Sequence, residues 1–239
     1  MLKNLDYSKV LFLDIETVPN AYNFNDLDER SKALWDKKTK YIQEKEEENA
    51  EGVYSKAGIY AEFGRVICIS VGYILQKDGE EQIRLKSFSS DDESKLLQDF
   101  SDLLNSHYNN DQFMLCAHNG KEFDIPFLAR RFLINGMTLP HLLNVAGKKP
   151  WEIKQIDTME LWKFGDFKHY TSLDLLTHIF KIPTPKDDID GSQVAKVYYE
   201  DNDLDRIIKY CEKDVVATIQ LLRKYRGQTL IDQEFIKST

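Results

Sequence analysis

The sequence predicts a single α/β domain in which a mixed central sheet is flanked by helices. Short runs of β-branched and aromatic residues alternate along the chain with longer segments whose apolar residues recur at helical spacing. A hairpin signal in the first half adds antiparallel strands to a sheet that would otherwise be parallel. With 239 residues, the chain is long enough for one large domain with a substantial core.

The first half of the chain contains three predicted strands. "KVLFLDIET" (residues 9–17) is an apolar run that ends in acids, which is typical of a buried strand. "GRVICISVGYIL" (64–75) is dense in β-branched residues, and the turn "KDGEE" leads into its hairpin partner "QIRLKSF" (82–88). Between the first two strands, residues from about 25 to 60 are predicted to form a charged helical insertion. Its thin apolar stripe consists of Leu27, Leu34, Trp35 and Ile42.

Helices and strands alternate through the rest of the chain. The predicted helices are 91–108, 126–137 (ending at Gly136), 171–182 and 203–225, with one further helix before the last. Short strands are predicted at 112–119 and 154–159. Thr171 and Asp174 stand at the spacing of a capping box, which predicts that the helix after them begins at this point.

Composition limits the classes of function. The residues are 42% hydrophobic and 30% charged, as in an ordinary soluble protein, and no apolar run is long enough to span a bilayer. Cys68, Cys116 and Cys211 are scattered and odd in number, which predicts reduced thiols, no zinc site and a cytoplasmic location. The net charge of −8 argues against a broad electrostatic grip on nucleic acid, but it allows a small site in which metal ions meet phosphates.

Three motifs carry acids at predicted strand ends or core margins. In "DIET", Asp14 and Glu16 project to one face of a strand, although such a pair also occurs where a strand frays into solvent. In "AHNGKEFDIPFL", Asp124 enters a helix, where it is either an N-cap or a ligand. In "YCEKD", Tyr210 and Asp214 share one face of the last helix, although an acid with a nearby aromatic residue is also common at a helix border.

Together these motifs predict a site for cations. Four carboxylates within a few ångströms repel one another, so some hold protons or the group binds cations. Ligands that are oxygen only favour hard ions such as Mg²⁺ or Mn²⁺. Two such ions about 4 Å apart form a clamp for in-line displacement at phosphorus.

The ordered set "DIET", "NGKEFD" and "YCEKD" resembles the DEDD superfamily of 3′–5′ exonucleases. The middle motif has the form seen in proofreading domains of family B DNA polymerases, and the whole chain is similar to the predicted stand-alone family B-like 3′–5′ exonucleases. With Tyr210 four residues before Asp214, the chain resembles the Tyr-containing (DEDDy) branch of this superfamily. The other branch carries a His at the position where this chain has Lys209. The resemblance implies a ribonuclease H-like fold.

The same resemblance implies residue roles. Asp14, Glu16 and Asp214 would hold the ion that activates water, and Asp14 would bridge to a second ion with help from Asp124. Tyr210 would aim the attacking water, because its ordinary pKa of about 10 makes it a poor base at neutral pH. The expected cofactors are two Mg²⁺ or Mn²⁺ ions, and the expected products are 5′-mononucleotides released from a 3′ end.

Substrate contacts and partners are less sharply predicted. Thr17, Asn119 and Phe123 are candidate substrate contacts, although an Asn-Gly turn also explains Asn119 and core packing also explains Phe123. The loop with Lys168 and Tyr170 is expected to border the substrate groove, Asp157 to lie near the site or to be a turn acid, and His118 to be polar filler or a surface residue. The expected substrate is the 3′ end of single-stranded DNA, with a polymerase or repair partner in trans and no membrane. Alternatives are a ribonuclease of the same fold and a catalytically silent nucleic-acid-binding module.

Overall fold

The structure is a computed structural model, and it describes residues 2–166, 170–183 and 189–238. In this part of the chain, six strands form one mixed sheet in the order β5-β4-β1-β2-β3-β6. They are β1 (Val10–Pro19), β2 (Gly64–Lys77), β3 (Glu80–Ser89), β4 (Met114–Ala117), β5 (Gln155–Asp157) and β6 (Ile236–Ser238). The first three pair antiparallel, while β4 joins β1, β5 joins β4 and β6 joins β3 in parallel.

Helices cover both faces of this sheet. They are α1 (Glu29–Glu46), α2 (Glu93–His107), α3 (Asp124–Ile134), α4 (Thr158–Lys163), α5 (Leu173–Phe180), α6 (Val194–Lys196) and α7 (Leu204–Tyr225). The predicted single α/β domain with a mixed sheet is confirmed, and the arrangement is compatible with a ribonuclease H-like exonuclease fold. None of the described helices is both long enough and apolar enough to cross a membrane.

The central strand β1 divides the core into two layers. Leu11 and Leu13 pack on one side with α2 and α3, whereas Phe12 packs on the other side with Val215 and Ile219 of α7. Burial on both faces explains why this strand reads as a continuous apolar run rather than as an alternating one. The approach of α7 to the sheet is close, since a Cβ on Gly72 of β2 would lie 2.7 Å from Cγ1 of Val215.

The sequence predicts the turn between β2 and β3 correctly but misplaces the start of α5. The hairpin between β2 and β3 turns at Asp78 (φ 55°) and Gly79 (φ 85°), the left-handed pair that the sequence predicts for a two-residue turn. The capping-box prediction for α5 is wrong in detail, because the N-cap is Ser172, whose side chain accepts from the backbone N–H of Leu175. Neither α4 nor β6 is predictable from the sequence, because each is too short for a periodic pattern.

Three residues of the predicted apolar stripe, Leu27, Trp35 and Ile42, pack in one cluster, but the buried face of α1 is not the whole stripe. Trp35, Thr39 and Gln43 are buried on successive turns, whereas Leu34 is 43% exposed. Trp35 determines this orientation, since its Nε1 donates to the carbonyl of Ala50 and its ring contacts those of three neighbouring aromatic residues, Tyr54, Tyr60 and Phe63. The largest side chain therefore selects the buried face, and two polar residues follow it inside.

Candidate active site

The strand β1 carries Asp14 and Glu16 toward α7. They continue the face that begins with Phe12, because side chains at alternate positions of a strand share a face. A bulge between Glu16 and Thr17 then breaks the regular pairing with β2. The hydroxyl of Thr17 donates to the carbonyl of Gly58 at 2.7 Å, so this side chain is engaged with the segment that precedes β2.

The helix α3 delivers Asp124 to the same strand. Phe123 occupies the N-cap position and Asp124 is the first helical residue, so the N-cap alternative for Asp124 is wrong. Its Oδ1 accepts a hydrogen bond from the backbone N–H of Ile15 at 3.2 Å, and only 3% of the residue is exposed. This contact joins positions 109 residues apart and sets the Asp124 carboxylate beside Asp14 and Glu16.

The helix α7 closes the group from the other side. Its buried stripe includes Val215 and Ile219, which leaves Tyr210 and Asp214 at the margin of the core, one turn apart. The phenol of Tyr210 lies close to Asp214, whose carboxylate raises the pKa of the phenol after burial has raised it. One residue after Tyr210, the thiol of Cys211 donates to both the backbone carbonyl and Oδ2 of Asp14, each at 3.3 Å, and so ties α7 to β1.

These side chains meet in one cavity of about 760 Å³, called the acidic cavity below. Its lining includes seven of the eight predicted site residues, namely Asp14, Glu16, Asn119, Phe123, Asp124, Tyr210 and Asp214. The structure does not bring Thr17 into this lining, because its side chain faces Gly58 instead. Tyr170 also lines the cavity, as the loop prediction expected, whereas Lys168 lies outside the described residues.

Burial and mutual repulsion make the carboxylates of the cavity hard to ionise. Burial raises the pKa of Asp14 well above its ordinary value, and the charges of Asp124, Asp214 and Glu16 raise it further. Burial likewise raises the pKa of Glu16 well above its usual range, with Asp214 as the next cause. The pKa of Asp124 is raised to about 7, mainly by burial, although the N–H of Ile15 opposes this shift.

The acidic cavity is suited to hard cations. Its lining, within the described ranges, contains neither lysine nor arginine to neutralise the carboxylates. One ligand atom each from Asp14, Glu16 and Cys211 lie within 4.8 Å of one another, close enough to share an ion, but the thiol lies behind Asp14 and outside the cavity lining. The charged groups that line the cavity are therefore carboxylates, and an excess of carboxylate oxygen is the environment that Mg²⁺ and Mn²⁺ prefer.

Three residues around the cavity have structural roles beyond those predicted. Cys211, expected only as a reduced thiol, contacts Asp14 directly. His118, expected as filler, has Nε2 at 2.9 Å from the carbonyl of Thr171 and Nδ1 at 2.9 Å from Oγ1 of Thr158. The ring therefore donates from Nε2 and joins the end of β4 to the cavity wall. Asp157, expected only to lie near the site, accepts hydrogen bonds from the backbone N–H groups of Asn119 and Lys121 in the loop before Asp124. Position near the end of a predicted strand was the only sequence signal for His118 and Asp157.

Comparison with protein families identifies the family to which this chain belongs. A family model described as a predicted 3′–5′ exonuclease related to the exonuclease domain of PolB matches residues 59–236. The matched segment contains Asp124, Tyr210 and Asp214, whereas Asp14 and Glu16 precede it. The structure nonetheless brings both groups into the acidic cavity. The chain belongs to the family of predicted 3′–5′ exonucleases related to the exonuclease domain of PolB.

Proposed function

We propose that this chain is a metal-dependent 3′–5′ exonuclease that hydrolyses phosphodiester bonds at the 3′ end of single-stranded DNA and releases 5′-mononucleotides. The observation that carries this proposal is the convergence of Asp14, Glu16, Asp124 and Asp214 in one cavity with Tyr210. The position of Tyr210 one helical turn before Asp214, in the lining of the same cavity, supports assignment to the Tyr-containing (DEDDy) branch.

The carboxylates would hold two Mg²⁺ or Mn²⁺ ions. Asp14, Glu16 and Asp214 are assigned to one ion, and Asp14 together with Asp124 to the other. Such ions, when bound, lower the pKa of water and stabilise negative charge on a phosphate. The raised pKa values of Asp14, Glu16 and Asp124 are consistent with this role, because carboxylates that repel one another gain most from a cation.

Tyr210 would orient the attacking water by hydrogen bonding. Burial raises the pKa of its phenol above the ordinary value, and the charge of Asp214 raises it further, followed by that of Glu16. The hydroxyl therefore keeps its proton at neutral pH and cannot serve as a general base. The ring lines the acidic cavity together with Asp214, so its hydroxyl is available to a water molecule there.

Asn119 and Phe123 are proposed to contact the terminal nucleotide. A volume of about 760 Å³ lies within the range of small-ligand sites and is sufficient for one nucleotide. Oδ1 of Asn119 is buried and has no hydrogen-bond partner among the described residues, so a donor group on the substrate would satisfy it. The Phe123 ring packs on Phe127, with centroids 5.5 Å apart, and offers an apolar surface to a base.

Residues 25–60 are proposed to be an addition to the exonuclease domain that braces the active-site strand. The hydrogen bond from Thr17 to Gly58 joins the end of this segment to β1 at the residue that follows Glu16. Gly58 also packs against the end of β1, since a Cβ on Gly58 would lie 3.3 Å from Cδ and 3.4 Å from the backbone N of Pro19. A polymerase or repair protein acting in trans remains part of the proposal as a partner.

A nuclease assay tests the proposed function. A single-stranded DNA labelled at its 3′ end is incubated with Mg²⁺ or Mn²⁺ and the wild-type chain, Asp14→Ala or Asp102→Ala. Asp102 is an exposed acid on α2 and serves as the matched control. We expect labelled mononucleotide from the wild type and from Asp102→Ala only. Equal release by Asp14→Ala would refute the mechanism, and a matched RNA strand decides between DNA and RNA.

A further inference from the structure

Asp157 ends β5 and is only 3% exposed, yet its carboxylate accepts four backbone N–H groups. Two of the donors, Met159 at 2.9 Å and Glu160 at 3.2 Å, belong to the first turn of α4. The other two, Asn119 at 3.0 Å and Lys121 at 3.1 Å, belong to the loop that runs from β4 to α3. One side chain therefore caps a helix and holds a separate loop.

The loop between β4 and α3 leads directly to Asp124. Asn119 has a φ of 63°, and its carbonyl accepts from the N–H groups of Glu122 and Phe123. The carbonyl of Gly120 accepts from Ile125 at 2.9 Å, and a Cβ at this glycine would lie 2.4 Å from that of Ala117. The loop is thus a tight, internally bonded turn, so its attachment point determines where α3 begins.

Helix capping alone does not account for a carboxylate at position 157. Asn or Ser caps a helix about as well as Asp, and burying a charge is costly unless hydrogen bonds stabilise it. The two bonds to Asn119 and Lys121 use the remaining acceptor capacity: Oδ1 accepts from Asn119 and from α4, and Oδ2 accepts from Lys121. Two carboxylate oxygens are needed to serve both partners.

We infer that Asp157 is a positioning residue that sets the place of Asp124 in the acidic cavity by anchoring the Asn119–Lys121 turn. This inference rests on the proposed function, because it assigns Asp157 to the same site. Asp157 is absent from the cavity lining and acts through the loop. Residues that orient metal ligands from behind commonly change metal affinity or activity by about 10–100-fold when they are replaced.

Two substitutions separate loop anchoring from helix capping. Asp157→Asn keeps an acceptor for Asn119 and α4 but turns an amide donor toward the N–H of Lys121. Asp157→Ser still caps α4 and loses both loop contacts. Asp28→Ser is the matched control, because Asp28 caps α1 through the N–H groups of Arg30 and Ser31 and contacts no part of the cavity.

Nuclease kinetics and Mn²⁺ binding by calorimetry are measured on all four proteins, with circular dichroism to confirm folding. We expect kcat to fall about 10-fold for Asp157→Asn and about 100-fold for Asp157→Ser, with KM unchanged and Mn²⁺ affinity weakened in the same order. Asp28→Ser should match the wild type in both measurements. If Asp157→Ser does not fold, Asp157→Asn decides the outcome.

Folded Asp157 variants with wild-type kcat and Mn²⁺ affinity would overturn the inference, as would equal losses in Asp28→Ser. A wild type without nuclease activity would instead contradict the proposed function. In that case the Mn²⁺ affinities of the same four proteins still test whether Asp157 positions Asp124.

Discussion

Replacing Asp124 by Asn tests whether the acidic cavity destabilises the fold when no cation is bound. The pKa of Asp124 is raised to about 7 from an ordinary value of 3.8, chiefly by burial. Between these two values the folded chain holds a proton that the unfolded chain has lost. Stability in the absence of divalent ions should therefore fall as pH rises from about 4 and should level off above about 7.

The magnitude follows from the size of the shift. A difference of about three pKa units corresponds to about 4 kcal/mol of unfolding free energy at pH 8, and this is an upper value. An amide at position 124 keeps an oxygen for the N–H of Ile15 and never ionises. Asp124→Asn should therefore exceed the wild type at pH 8 by up to about 10 °C in Tm, with no difference near pH 4.

Thermal melts from pH 4 to pH 9 in a chelator measure this effect. Asp28→Asn is the control, because the pKa of exposed Asp28 is lowered by the Ser31 hydrogen bonds and its pH dependence has the opposite sign. Added Mg²⁺ should restore stability to the wild type at pH 8 more than to Asp124→Asn. The reasoning is refuted if the wild-type Tm does not fall between pH 5 and pH 8 in the chelator, or if Asp124→Asn is the less stable protein at pH 8.

Three further predictions concern single side chains. Tyr210→Phe should lower kcat about 100-fold through a misplaced water while Mn²⁺ affinity by calorimetry stays unchanged; a fall in affinity would contradict the aiming role. Arg131→Ala should cost about 3–5 kcal/mol in chemical denaturation, since it leaves Glu93 buried without the guanidinium that now forms a two-point ion pair with it. Trp35→Ala should cost about 3–5 kcal/mol and speed hydrogen exchange in α1, because the ring fills a fully buried site there; unchanged exchange in α1 would contradict this.

The candidate site was largely predictable from sequence because each motif sits at a recognisable boundary. Asp14 and Glu16 follow an apolar strand, and Tyr210 and Asp214 lie beside the buried stripe of α7. Periodicity of two or 3.6 residues decides which side chains share a face, and this information is local. For Asp124, the local sequence favours neither the N-cap interpretation nor the ligand interpretation, since both fit the start of a helix.

Long-range contacts decided what the local pattern left open. The hydrogen bond from the N–H of Ile15 places Asp124 at the cavity. Thr17 instead faces Gly58, because a bulge that the local sequence does not predict interrupts the strand after Glu16. Cys211 and Asp157 gained their contacts only when α7 and β5 packed beside the central strands.

The sequence by itself therefore determined the α/β class, the succession of the longer strands and helices, and the acids of the candidate site, because these depend on residue type and spacing. Only the tertiary structure decided that these acids share one cavity and which neighbours hold them. That outcome depends on strand order and helix packing, which bring together residues more than a hundred positions apart in the chain.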